Sequence, residues 1–262
     1  MRLAWITDVH LNFVKLEDRN RFYATVRQAV PEAILLGGDI AEAPTFLGYL
    51  REMQRAFQVP LYFVLGNHDF YRSSIHAVTE TLHELAIPNL HWLTECGVQL
   101  LTESTALIGD DGWADGRHGS HLHSPIVLND YMLIGEFIGL NKPERLTVMN
   151  SLGDAAAARI KAKLEEACIL RRRVIMLTHV PPFRESCWYE GKISDDNWLP
   201  HFSCKAMGDA ILEVMDEHPE CELEVLCGHT HGEAMTHPRP NIVVHTGGAI
   251  YGRPSLQQLL EA

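Results

Sequence analysis

Apolar residues in this chain come in short runs that stop abruptly at polar, metal-liking side chains. Leu3 to Ile6 gives way to Thr7, Asp8 and His10; Ala33 to Leu36 gives way to Gly37, Gly38 and Asp39; Leu61 to Leu65 gives way to Gly66, Asn67, His68 and Asp69. Farther along, Val174 to Leu177 runs into Thr178 and His179, and Leu223 to Cys227 into Gly228, His229, Thr230 and His231. Runs this short, rich in Val, Ile, Leu and aromatics, predict buried strands. Between the first three the period changes to that of a helix. Phe22, Tyr23, Val26 and Val30 share one side of a helix predicted from Glu17 to Val30 and closed by Pro31. Ala43 to Phe57 predicts a second helix. Ser73 to Leu85 predicts a third, opened by serines suited to capping and ended before Pro88. Strand-helix alternation of this kind predicts a largely parallel sheet with right-handed crossovers. Ligands collect outside the carboxyl ends of such strands, where all of these motifs fall.

Beyond residue 90 the short runs Leu90 to Leu93, Val98 to Leu101 and Thr105 to Ile108 leave little room for helices and predict an antiparallel portion. A stretch rich in Gly, Asp and His follows from Asp110 to Ser124. Helices are predicted around Ala155 to Leu170 and Met207 to Met215, with an irregular stretch, Pro181 to Ser203, between them. A last strand is expected from Ile242 to His245. No repeat or linker divides the chain, so residues 1–262 are expected to form a single α/β domain, a size at which one large core is common.

Composition narrows the setting. The first apolar run begins at Leu3, which leaves no room for a charged and apolar leader, and no run approaches the roughly 20 apolar residues that span a bilayer. Neither secretion nor a membrane partner is expected. Six cysteines without a closely spaced pair suit free thiols in the cytoplasm. A net charge of −12 argues against a broad basic groove and so against nucleic acid as a partner. A small phosphorylated substrate stays compatible with it, because bound divalent ions can dominate a site locally.

Carboxylates, imidazoles and one amide oxygen, with no thiolate, suit divalent Mn, Fe or Zn. Asp8 and His10 are separated by one residue, so in extended backbone both point to the same side and can hold one ion. Gly38, Gly66 and Gly228 fit places where the chain turns sharply or must approach the ions. His118, His121 and His123 read as a solvated loop. Other catalytic signatures are missing from the sequence: there is no phosphate loop, no serine elbow and no zincin helix.

The set D-x-H, G-D, G-N-H-D, a lone downstream His and G-H-T-H, spread over residues 8 to 231, resembles the calcineurin-like metallophosphoesterase superfamily. Within it, G-N-H-D, T-H-V-P-P and G-H-T-H are similar to the bacterial cyclic-nucleotide phosphodiesterase branch. The resemblance implies a four-layer α/β/β/α sandwich of two mixed sheets flanked by helices. It also implies two divalent ions, with Mn favoured. Asp8, His10 and His231 would hold one ion, Asn67, His179 and His229 the other, and Asp39 would bridge them. A hydroxide between the ions would be the nucleophile. Two divalent ions against two carboxylates and that hydroxide leave about one net positive charge to hold a phosphate. His68 would steady the transition state or protonate the leaving group, and Glu42 stands where some relatives carry an acid that orients this histidine.

Substrate contacts are expected from the two irregular stretches, with Trp113, Asp115, Arg117 and His118 on one and Trp188, Tyr189, Trp198 and His201 on the other. Aromatic walls point to a flat group. Hydrolysis of a small or nucleotide-like phosphodiester is the expectation. The alternatives are a phosphomonoesterase (a nucleotidase or protein phosphatase) drawing extra cations from Arg72, Arg117, Arg184 or Arg253, a nuclease, and a non-catalytic scaffold.

Overall fold

In the computed structural model, which describes residues 1–85 and 87–262, the chain opens with alternating strands and helices. These are β1 (Arg2–Ile6), α1 (Leu16–Gln28), β2 (Ala33–Gly37), α2 (Ala43–Phe57), β3 (Leu61–Val64), α3 (Ile75–His83) and β4 (Leu90–Trp92). Helix α1 stops two residues before the expected Val30, because Pro31 disfavours α backbone in the residue before it; Val30 has φ 51°. Ser74 caps α3, its side chain accepting from the Ala77 N–H at 3.1 Å.

The second half contributes β5 (Gln99–Leu100), β6 (Thr105–Asp110), α4 (Asp130–Leu133), α5 (Lys142–Leu170), β7 (Arg173–Thr178), β8 (Trp188–Tyr189) and β9 (Lys192–Ile193). Then come α6 (Leu199–Phe202), α7 (Lys205–Glu217), β10 (Glu222–Cys227), β11 (Ala234–Arg239), β12 (Ile242–Thr246) and β13 (Gln258–Glu261). Helix α5 is much longer than its alanine-rich half predicts. Its true start is a reciprocal cap, with the Asn141 side chain accepting from Glu144 N–H and Glu144 accepting from Asn141 N–H, and Pro143 in the first turn.

Two mixed sheets result, ordered β13-β1-β2-β3-β4 and β11-β12-β10-β7-β6-β5. The antiparallel portion expected after residue 90 is confined to β5 and β6; β4 instead runs parallel to β3, and β6 parallel to β7. The short link from β4 to β5 joins different sheets and is not a hairpin. A long crossover is needed only between parallel neighbours of one sheet, and α5 supplies it from β6 to β7.

The strands are apolar on both faces because both faces are covered. Leu3, Trp5, Leu35 and Val64 meet Leu107, Ile175, Leu177 and Leu226 in a core between the two sheets. The alternate residues Ala4, Ile6, Ile34 and Leu36, and Ile108, Val174, Met176 and Val225, face outward beneath the helices, among them Phe22, Leu50, Ile160 and Ile211. This is an arrangement of two stacked mixed sheets flanked by helices. It brings the carboxyl ends of strands from both sheets to one edge.

Candidate metal centre

Every candidate donor follows the carboxyl end of a strand. Asp8 and His10 follow β1, Asp39 follows β2, Asn67 and His68 follow β3, His179 follows β7, and His229 and His231 follow β10. Asp8, His10, Asp39, His229 and His231 all have left-handed backbone, with φ of 49°, 40°, 50°, 70° and 60°. Such conformations are strained for non-glycine residues and gather at functional sites. Here they turn the side chains back over the strand ends. The neighbouring glycines make room: a Cβ on Gly66 would collide with Asp39 Oδ1, and one on Gly228 with Asp8 Oδ2.

The seven donors converge as two groups that share Asp39. In the first, Asp8, His10, Asp39 and His231 each offer an atom within 4.8 Å of the others. His10 Nε2 lies 3.6 Å from Asp39 Oδ2 and 3.1 Å from His231 Nε2, and His231 Nε2 lies 3.4 Å from Asp8 Oδ1. In the second, Asn67 Oδ1 lies 3.3 Å from His179 Nε2 and 3.0 Å from His229 Nδ1, while His179 Nε2 is 3.4 Å from Asp39 Oδ1. The two oxygens of one carboxylate thus face different groups.

Hydrogen bonds from outside set these orientations. His179 Nδ1 meets the Gly37 carbonyl at 2.9 Å and His229 Nε2 meets the His201 carbonyl at 2.9 Å. A carbonyl only accepts, so each of those nitrogens carries the proton, and in a neutral ring the inner nitrogen is a bare lone pair. Burial lowers the His229 pKa and favours the neutral ring. The Asn67 amide is fixed as well, its Nδ2 donating to Asp130 Oδ1 at 2.8 Å, which leaves Oδ1 toward the imidazoles. Tyr71 donates to the same Asp130 oxygen at 2.6 Å. Asn67 Oδ1, His179 Nε2 and His229 Nδ1 therefore turn lone pairs toward one another at contact distance, which a cation reconciles. Carbonyl and carboxylate supports behind imidazole donors are usual at metal sites. Oxygen and imidazole donors without thiolate fit Mn, Fe or Zn.

Electrostatics agree with this. Burial opposes ionisation of Asp39, yet His179, His68 and His10 overcome it and hold the carboxyl down to about 2. For Asp8 burial is likewise overcome, chiefly through His231, and its carboxyl stays well below the usual range. Burial pushes His10 down to about 4. For His231 burial acts downward, but the hydrogen bond and charge of Asp8 win and raise it.

Asp69 is a scaffold for this edge. It accepts from the N–H groups of Ile40, Ala41 and Gly66 at 2.9, 3.0 and 2.9 Å and is fully buried. An unsatisfied buried donor costs about 1–3 kcal/mol, so Asp69→Ala is expected to lower the unfolding free energy by about 3–5 kcal/mol. Urea unfolding without added metal measures it; a loss under about 1 kcal/mol would show that these N–H groups find other partners. Asp111 ties the two sheets together beside it, accepting from Leu65 N–H at 2.6 Å and Trp92 Nε1 at 2.9 Å, with burial pushing its carboxyl up to about 6.

His68 borders the first group: Nε2 is 3.9 Å from Asp39 Oδ2, and its ring stacks on Tyr71 with centroids 4.2 Å apart. Glu42, expected to orient it, instead pairs with Arg72 at 2.5 Å. Above the donors lies a cavity of about 230 Å³, lined on its floor by Asp39, Asn67, His68, His229 and His231 and on its sides by Tyr189, Trp198, Phe202 and Tyr251. No Lys or Arg among the described residues lines it.

Of the expected wall residues, Tyr189 and Trp198 line this cavity, whereas Trp113, Arg117, Arg184 and Arg72 lie elsewhere. Trp113 is buried, stacked on Phe137 with centroids 5.6 Å apart, and belongs to the core behind the site. Arg117 is held by Asp115 at 3.1 Å and Asp154 at 2.7 Å, Arg184 by Asp196 at 3.0 Å, and Arg72 by Glu42. Arg253 lines a separate groove with Asp18, Arg21 and Phe22. His121 is not in a solvated loop but buried beside His201, and His118, His121 and His123 form no further metal-type group among the described residues.

Asp130, Tyr71 and Tyr251 escaped sequence reasoning. Asp130 and Tyr71 carry no local pattern. Tyr251 follows the carboxyl end of β12, so the strand-exit logic that found the donors would have reached it.

A family model described as calcineurin-like phosphoesterase matches residues 1–233. Among curated proteins, a transmembrane protein with metallophosphoesterase domain from Danio rerio is 28% identical over 97 residues, 35% of this chain and 22% of that protein. The match therefore spans about a fifth of that relative's length. Among solved structures, a phosphopantetheinyl hydrolase from Mycobacterium tuberculosis superposes with TM-score 0.66 at 14% identity, over 96% of this chain and 90% of that one. A dimetal phosphatase from Danio rerio gives TM-score 0.61 at 14% identity, over 96% and 88%. At these identities the likeness concerns the fold.

Proposed function

The chain belongs to the calcineurin-like phosphoesterase family, and on that premise we propose that it is a dinuclear metal-dependent phosphodiesterase acting on a small phosphodiester. Asp8, His10 and His231 would hold one ion, Asn67, His179 and His229 the other, and Asp39 would serve both. When bound, the ions supply Lewis acidity toward the phosphoryl oxygens and an activated water. Asp39 and Asp8 stay ionised throughout the neutral range. The carbonyls of Gly37 and His201 hold His179 and His229 in the tautomers that present lone pairs inward. His68, which lines the cavity floor, gives a proton to the leaving oxygen in this reading.

The preference for a diester rests on charge. A monoester carries a terminal dianion that asks for cations beyond the metals, whereas a diester carries one negative charge. The cavity offers no Lys or Arg among the described residues, and Arg72, Arg117 and Arg184 are already paired with carboxylates. With Mn supplied, kcat/KM for bis(p-nitrophenyl) phosphate is expected to exceed that for p-nitrophenyl phosphate by about tenfold or more, which is ~1.4 kcal/mol of transition-state preference. Activity on the monoester alone would overturn the diester assignment and leave the two-metal site intact. Six unpaired cysteines support a reducing compartment such as the cytoplasm. No described helix is long and apolar enough to cross a membrane.

A further inference from the structure

The cavity above the donors has aromatic sides from two remote segments. On one side Tyr251, from the loop after β12, lies over the first donor group, its ring centroid 4.5 Å from that of His10 and 5.1 Å from that of His231. Its hydroxyl is 3.5 Å from His68 Nε2, and Phe13 braces it edge-on with centroids 5.3 Å apart. Tyr251 and Phe13 are 50% and 51% exposed, so this pair contributes little to the core. On the other side Trp198 stacks on Phe202 with centroids 5.1 Å apart, and Tyr189 packs on both. Phe202 in turn meets His229 of the second group edge-on.

Resting on the phosphodiesterase reading, we propose that the substrate's organic group is a planar, uncharged ring held between Tyr251 and the Trp198–Tyr189 wall, with Tyr251 as a specificity-determining residue. Three features carry this. Each wall abuts a different donor group, so a ring seated between them leaves its phosphorus over Asp39. The cavity, about 230 Å³, falls below the roughly 300–1,000 Å³ of pockets that hold drug-sized ligands, and suits a single ring with its phosphate. With Asp130 and Asp39 among the lining residues and no Lys or Arg, a second phosphate is disfavoured, which separates this substrate class from pyrophosphate-linked compounds.

Binding tests the assignment apart from hydrolysis. The probes are the benzyl and cyclohexylmethyl esters of methylphosphonate, which carry one equal charge, have similar bulk and differ in planarity. Calorimetry with the Mn-loaded protein is expected to find the benzyl ester bound roughly threefold to tenfold more tightly, the range of a stacking contact. Tyr251→Leu is expected to bring the ratio near unity, Tyr251→Phe to preserve it, and Phe13→Ala to reduce it. Metal content is measured on each variant; should Tyr251→Leu lose metal, Phe13→Ala and Trp198→Leu decide. Equal affinities in the unmodified protein, or a benzyl preference that survives the loss of both walls, would overturn the proposal. A benzyl preference without turnover of bis(p-nitrophenyl) phosphate supports the ring site while removing the phosphodiesterase reading. Turnover without a preference does the reverse.

Discussion

Asp39→Ala is expected to leave the protein with at most one tightly held ion and to lower kcat by about 10³-fold or more. The reason is the position of one carboxylate between two donor groups, Oδ2 facing His10 at 3.6 Å and Oδ1 facing His179 at 3.4 Å. Among the described residues, no other candidate donor belongs to both groups. Without that shared anion two divalent charges would face each other with little between them, buried where water screens poorly. A metal ion contributes several kcal/mol of transition-state charge stabilisation, and at ~1.4 kcal/mol per tenfold that sets the scale of the loss. Asp39 Oδ1 also accepts from the His68 N–H at 2.9 Å, so Asp39→Asn is the companion variant, keeping volume and an acceptor while removing the charge. It is expected to weaken metal binding as well. Elemental analysis after exhaustive dialysis gives the stoichiometry, and Mn-dependent turnover gives the rate. Two ions per chain in Asp39→Ala would end the bridging assignment.

The second large effect is expected at His68. His68→Ala should keep both ions and the same KM within a few fold, yet lose about 10²–10⁴ in kcat, the usual worth of general acid catalysis. Its ring borders the donors without joining either lone-pair group, and both its stacking on Tyr71 and its approach to the Tyr251 hydroxyl aim Nε2 at the cavity. Its loss should therefore fall on the leaving group. An alkyl ester, whose alkoxide departs poorly, should suffer more than a nitrophenyl ester, whose phenolate needs little help. Turnover of both esters by the unmodified and variant proteins measures the difference. An alkyl ester hydrolysed at the unmodified rate would remove His68 from the chemistry.

That Glu42 does not reach His68 has its own explanation. Glu42 caps the start of α2 as an extended residue, and the exposed Arg72 guanidinium reaches it first. His68 instead makes aromatic contacts, its ring stacked on Tyr71. That arrangement is consistent with a cleft whose sides are aromatic and whose floor already holds the ionised Asp39.

Much of this architecture is legible before folding is considered, and the residues show why. The strands announce themselves by apolar runs because both of their faces are buried, and helix α2 is bounded as its pattern predicts because its signals are local. The donors can be read for the same reason: each sits just past an apolar run, and its chemistry belongs to the residue type. The start of α5 was missed because the capping signal at Asn141 and Glu144 precedes a polar stretch without clear periodicity. The parallel pairing of β4 was missed because strands of a few residues do not reveal which sheet they join.

By itself, then, the amino-acid order determined which side chains can ligate and where strands and helices form, since those properties depend on a residue and its near neighbours. Only the tertiary structure decided which of them meet. Stacking of two sheets with their carboxyl ends at a common edge brings His179 and His229 against Asn67, and Asp8 against His231. The same packing withdraws Trp113 into the core, pairs Arg72, Arg117 and Arg184 with carboxylates, and sets Tyr251 over the donors. Those outcomes turn on contacts between residues far apart in sequence, and such contacts exist only once burial of the shared core has fixed the layers in place.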